Sequence, residues 1–228
     1  MYKTAEDGIV VKDTDLEIID STVLFNPQLG EYKQDILEIL LPDSVTNIDT
    51  YAFANMTSLR QISLPASLKK LVPWTFENVP ITGLVCGKDI KEIGQGSFKS
   101  VEDRCVYISD LVSWCEINFT GENANPLNAN YSRLYVNGEL VKDLFIPEEV
   151  KEIKNYAFCN GTFNKVVANH NITDIGEGAF TSGCDIELYG IDESIKVADN
   201  AMDGSTVYVT PDIIAKFTAN DSWPKSGT

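Results

Sequence analysis

The stretch "LPDSVTNIDTYAF", Leu41 to Phe53, returns 23 residues later as "LPASLKKLVPWTF", Leu64 to Phe76. Both carry Leu-Pro, an aliphatic at Val45 or Leu68, a second at Ile48 or Leu71, and a closing Phe. The pattern extends along the chain. "GLVCGKDIKEIGQGSF" closes at Phe98, "DLFIPEEVKEIKNYAF" at Phe158, "KVVANHNITDIGEGAF" at Phe180 and "ELYGIDESIKVADNAM" at Met202. Val150 and Ile172 match Val45, while Ile153, Ile175 and Val197 match Ile48.

A period of 22 to 23 residues lies in the range of leucine-rich repeats, where each unit makes one superhelical turn. Each position then has a physical task. In "QISLP", Ile62 and Leu64 alternate with Gln61 and Ser63, so the aliphatics face inward from a short strand. Pro65 ends that strand by withholding a ladder donor. The later aliphatic pair re-enters the core and the Ala-Phe corner fills the opposite wall. One unit cannot bury its apolar face alone, so stacked neighbours make the core. The expected fold is a leucine-rich repeat solenoid, α/β or mostly β, with short parallel strands forming a curved sheet.

"SVTNIDTYAFANMTSLRQISLP" and "EVKEIKNYAF" resemble the BspA-like, or Treponema pallidum-type, leucine-rich repeats of bacterial surface proteins. The resemblance covers roughly residues 36–212. It departs at Trp74-Thr75-Phe76, at Met202 in place of a final Phe, and in the Cys expected after the Phe, met only loosely by Cys184. It implies a non-catalytic protein-binding module at the cell surface. Adhesion to host extracellular matrix or to other bacterial surface proteins is the implied role. A structural spacer or self-assembly domain of a larger envelope protein is the alternative.

The repeats are interrupted after Phe98. "SDLVSWCEINF" reads as a helix with Ser109 or Asp110 as N-cap and Leu111, Trp114 and Cys115 on one face. Residues 121–130 form an Asn/Gly/Pro-rich loop, and "RLYVNGELV" is a hairpin turning at Asn137-Gly138. The whole resembles an insertion seen in BspA-like proteins of gut bacteria. The chain therefore divides as one domain: a cap or degenerate repeat at 1–35, repeats at 36–104, an enlarged repeat with the inserted hairpin at 105–142, repeats at 143–205 and a C-terminal cap at 206–228. In that last cap, strand Val207–Val209 precedes a short helix whose Ile213, Ile214 and Phe217 cover the final turn. On this reading the chain is structurally complete.

Lys plus Arg number 18 against 34 acids, a formal charge of -16. This disfavours nucleic acid and anionic membranes, whose affinity comes from Lys/Arg contacts to phosphate. No stretch approaches 18 apolar residues, so no membrane insertion is expected. "MYKTAEDGIVVKDTD" lacks the basic and apolar regions of a secretory signal, which fits either a cytoplasmic protein or a trimmed mature domain. The five cysteines are widely spaced and odd in number, the pattern of buried thiols, with a Cys105–Cys115 bridge as the weaker alternative.

No catalytic constellation assembles. His170 is the sole histidine and has no G-x-S-x-G or Cys-His context, so it reads as a loop residue without a chemical task. "GKDIKEIGQG" lacks phosphate-loop spacing, and no calcium-loop pattern occurs. No cofactor or metal is expected, and no enzyme. What remains is the set of strand residues pointing out of the sheet: Leu40, Ser63, Val85, Tyr107, Phe145, Val167, Tyr189 and Tyr208. Seven of these eight are apolar or aromatic, which predicts a contiguous protein-binding column. Cross-strand packing, worth about 0.2–1 kcal/mol per pair, is the competing explanation. A monomer is expected rather than an oligomer.

Overall fold

Each repeat makes two strands rather than one. The structure, a computed structural model, describes residues 9–10, 18–19, 33–98, 103–211 and 213–214. In chain order the first strands are β1 (Ile9–Val10), β2 (Ile18–Ile19), β3 (Glu38–Leu40), β4 (Asn47–Ile48), β5 (Gln61–Ser63), β6 (Lys70–Leu71), β7 (Gly83–Val85), β8 (Glu92–Ile93) and β9 (Cys105–Ile108). Helix α1 (Leu111–Cys115) follows, then β10 (Asn118–Phe119), β11 (Arg133–Val136) and β12 (Glu139–Leu140). The remaining strands are β13 (Asp143–Phe145), β14 (Glu152–Ile153), β15 (Lys165–Val167), β16 (Asp174–Ile175), β17 (Asp185–Leu188), β18 (Lys196–Val197) and β19 (Thr206–Val209).

The first strands of successive repeats stack in parallel as β1-β3-β5-β7-β9-β11-β12 and, separately, β13-β15-β17-β19. The two-residue strands stack on another wall as β2-β4, β6-β8-β10 and β14-β16-β18. Period-2 alternation turns Ile39, Ile62, Leu84, Val106, Leu144, Val166 and Ile186 into the core. Val45, Leu68, Ile90, Val150 and Ile172 close the interior from the turn that follows each strand. Where Pro is missing from that turn, Asn169 is buried instead and donates Nδ2 to the Val150 carbonyl at 3.0 Å, tying one repeat to the preceding one.

The Ala-Phe corner builds a column of rings. Phe53 and Phe76 stack with centroids 5.2 Å apart, Phe76 and Phe98 at 5.5 Å, and Phe158 and Phe180 at 5.6 Å. The first column ends on a charge that the repeat pattern did not reveal. Arg104 is fully buried and lies 5.4 Å from the Phe98 ring centroid. Its Nε and Nη1 donate to the Ile81 and Pro126 carbonyls, both at 2.8 Å. Burial lowers its pKa to about 10, which still leaves it charged at neutral pH.

The corner also explains the residue two before each Phe. Tyr51, Trp74, Gly96, Tyr156, Gly178 and Asn200 all have φ between 57° and 71°, a region costly for residues with a Cβ. A Cβ added to Gly96 would meet the Trp74 ring at 2.3 Å, and one at Gly178 would meet the Tyr156 ring at 2.8 Å. An aromatic side chain thus lies on the glycine of the next repeat.

The interruption has the expected parts. Asp110 caps α1 by accepting from Val112 N, Trp114 and Cys115 are buried, and Asn137 and Gly138 turn the hairpin at φ 51° and 84°. One point is corrected: β11 is not an inserted strand. It pairs with β9 in parallel over four residues, as the next rung of the sheet, and only β12 is additional. Because β12 pairs antiparallel with β11, the long sheet stops there and a second begins at β13. Side chains span the break. Trp114 Nε1 donates to the Ala157 carbonyl at 2.9 Å, and buried Asn125 donates Nδ2 to the Tyr156 and Ala157 carbonyls at 2.6 and 2.8 Å. Thr162 N reaches the Ser132 carbonyl at 2.9 Å.

All five cysteines are free. Burial pushes the Cys86, Cys115 and Cys159 thiols up to about 12, so these three stay protonated and inert. Most of residues 1–35, and Phe217 with the rest of the expected C-terminal helix, lie outside the described residues. Ile213 is buried there.

Candidate protein-binding face

Strand alternation aims two columns of side chains outward from the long strands. The column at the far end of each strand runs Leu40–Ser63–Val85–Tyr107–Tyr135 across the first sheet. Across the second it runs Phe145–Val167–Glu187–Tyr208. The other column is Glu38–Gln61–Gly83–Cys105–Arg133 in the first sheet and Asp143–Lys165–Asp185–Thr206 in the second.

Two sequence expectations change here. The column is not continuous, because β12 separates Tyr135 from Phe145 in the hydrogen-bonded order. Tyr189 is also out of register. Glu187 pairs with Val167 and Tyr208, and Tyr189 stands two residues further on, in a turn whose Gly190 has φ 71°. Phe180 precedes the inward Ile186 by six residues, against eight between Phe158 and Val166. Two extra residues after β17 restore the period, so the spacing between corners conceals the shift.

Exposure is high along the face. Phe145 is 60% exposed, Tyr189 51%, Val85 45% and Tyr208 42%, with Leu40 and Tyr107 also exposed. Ser63 and Val167 are half-buried. Sequence reasoning missed Tyr135, whose ring stacks on Tyr107 with centroids 4.7 Å apart. Partial burial, together with the neighbouring Cys105, raises the Tyr107 pKa, so its hydroxyl stays neutral.

The two halves differ in chemistry. In the second, Lys165 Nζ lies 3.2 Å from Glu187 and 5.8 Å from the centre of the Phe145 ring, covering part of an otherwise open aromatic. In the first, Gly83 leaves a gap between Gln61 and Cys105, and a shallow groove of about 280 Å³ opens over it. Leu40, Val85 and Tyr107 line one side, while Glu38 and Asp103 stand on the other.

Among the described residues, no three His, Cys, Asp or Glu side chains converge to hold a metal. His170 is exposed, with Nδ1 3.4 Å from Glu148 Oε2. Among the described residues no helix is long and apolar enough to cross a membrane.

The BspA-type leucine-rich repeat region model matches residues 31–124 and 131–205 in six copies. The chain belongs to the BspA-type leucine-rich repeat family. These repeats are generally non-enzymatic and serve as interaction modules. Among solved structures, the chain is similar to a leucine-rich repeat protein from Bacteroides ovatus ATCC 8483, with 18% identity and a TM-score of 0.33 over 77% of this chain and 56% of that one. The pneumococcal vaccine antigen PcpA matches at 16% identity and TM-score 0.35, over 77% of this chain and 62% of that one. A leucine-rich cell surface protein from Faecalibacterium prausnitzii A2-165 matches at 14% identity and TM-score 0.31, over 88% and 85%. The chain thus spans about three fifths of the first two. No curated protein gives a significant sequence match.

Proposed function

We propose that this protein is a non-catalytic binding module of a bacterial cell-surface protein, gripping a protein partner through the outward columns of its long strands. The carrying observation is the row of exposed aromatic and aliphatic side chains on a regular sheet, with Phe145 60% exposed. Exposed apolar patches of this kind mark protein-interaction sites, and aromatic side chains dominate interface energetics. A β-sheet also holds such residues in fixed register, which lowers the ordering cost of binding. Adhesion to host matrix or to neighbouring bacterial proteins is the role in keeping with the family and with the surface proteins it resembles. The protein acts as a monomer in this role.

The test is binding of purified chain to immobilised matrix proteins and to bacterial surface proteins, comparing wild type with Phe145→Ala plus Tyr208→Ala. The double variant is expected to lose at least about tenfold in affinity, the scale of one hot-spot residue. Equal binding would remove the second sheet's column from the interface.

A further inference from the structure

The groove over Gly83 has a chemistry of its own. Gly83 φ is not left-handed, so the backbone itself does not demand glycine there, and an added Cβ would meet only the flexible Gln61 side chain, at 3.3 Å. The missing side chain therefore creates space on the outer face. The groove is apolar along Leu40, Val85 and Tyr107 and acidic at its opposite corners, Glu38 on β3 and Asp103 just before β9. Among the described residues, no Lys, Arg or His lines it. Arg133, itself half-buried, approaches Asp103 only to 3.9 Å, and the Asp103 side chain is 70% exposed, so the pairing neutralises little.

Resting on the binding-module reading above, we infer that the first sheet takes an extended basic segment of the partner protein, lying across β3 to β9 with cationic residues four apart. Three inter-strand steps at about 4.8 Å span about 14 Å, which four residues of extended chain also cover. Alternation then sends residues i, i+2 and i+4 to the acidic side and i+1 and i+3 to the Leu40–Val85–Tyr107 side. The backbone passes over the space left by Gly83, where any side chain would hold it off the sheet. Arginine suits the Asp103 end, since its planar guanidinium can meet a carboxylate through two N–H donors. The net charge of -16 steers such a segment inward.

The probe is a capped five-residue peptide with arginine at both ends, valine at positions two and four, and serine between, titrated by NMR into the full chain. A control peptide carries glutamate in place of arginine. The arginine peptide is expected to bind at least about tenfold more tightly than the control and to weaken about fivefold between 50 and 300 mM salt. Gly83→Val, a β-branched residue suited to an outward strand position, is expected to cost about tenfold, and Glu38→Gln plus Asp103→Asn about the same. Thermal melts confirm that each variant is folded. Equal binding of both peptides, or no effect of either variant, overturns the inference. So does concentration-dependent dimerisation abolished by Gly83→Val, which would make a second copy the occupant. If these variants leave the peptide unaffected while Phe145→Ala plus Tyr208→Ala still abolishes partner binding, the groove fails and the binding-module reading stands. The converse result would confine binding to the first sheet.

Discussion

The break between the two long sheets is held by side chains that share one acceptor, and that sharing can be measured. Asn125 makes three bonds: two from Nδ2 to the Tyr156 and Ala157 carbonyls, and one accepted by Oδ1 from Leu127 N at 2.7 Å. At about 1 kcal/mol net each, Asn125→Ala is expected to cost about 3 kcal/mol. Trp114→Phe retains a ring next to Phe119, whose centroid is 5.4 Å from that of Trp114, but loses the Nε1 bond to Ala157. Asn125 still serves that carbonyl, so the loss is about 1 kcal/mol plus the smaller ring's burial. In the double variant neither donor remains, and a buried carbonyl left without them costs a further ~1–3 kcal/mol. The double variant should therefore lose at least about 1 kcal/mol more than the sum of the single losses. Urea unfolding followed by tryptophan fluorescence and by circular dichroism gives the four free energies. The same variant should show two transitions or a lower m-value, because residues beyond β12 then unfold apart from those before it. Additivity within about 0.3 kcal/mol, with one unchanged cooperative transition, would refute this account of the joint.

Two further predictions concern local structure. Gly96→Ala places a Cβ at φ 71° against the Trp74 ring and is expected to destabilise by more than the ~1–2 kcal/mol of left-handed backbone alone; in a Trp74→Ala background only the backbone part should remain, as urea midpoints will show. Asp110 accepts from Ser113 Oγ at 2.6 Å and from Val112 N at 3.0 Å, and the Ser113 bond, more than the capping bond, holds its carboxyl below the usual carboxylate range. Its contribution is therefore present above the unfolded pKa of about 4 and is lost as pH falls through the lower folded value. Asp110→Asn keeps a capping oxygen, so wild type should exceed it in stability at pH 7 and the gap should close below about pH 4; a gap unchanged down to pH 2 would contradict the assignment.

The residues that repeat were legible because burial leaves them few alternatives. Val45, Ile48 and Phe53 each face the interior, and a polar residue at any of them would be unpaired in every turn of the stack. The outward columns carry no such constraint, and that is where reading from spacing slipped. The corner-to-corner period places Tyr189 in line with Val167, but a shortening before β17, balanced by a lengthening after it, leaves that period unchanged while moving the register. Tyr135 went unseen because Asn137-Gly138 signals a hairpin so strongly that β11 was read with its turn, although its partner is β9. Arg104 is legible only in the fold, since nothing local to "DRCVYI" announces a buried cation over Phe98.

The hairpin β12 has a mechanical consequence. Within either long sheet, successive turns are joined by main-chain ladders, so a pull along the stacking axis must break several bonds between neighbouring strands. Between Tyr135 and Phe145 that lamination is absent, and the load passes through Trp114, Asn125, the Asn160–Asn128 side-chain bond and the Ser132–Gly161 bridge. Under tension the molecule should part there first, yielding two segments that each keep their own Phe column. If the proposed surface role holds, with one end tethered and the sheet engaged, that seam sets the force at which the molecule lengthens before the contact lets go.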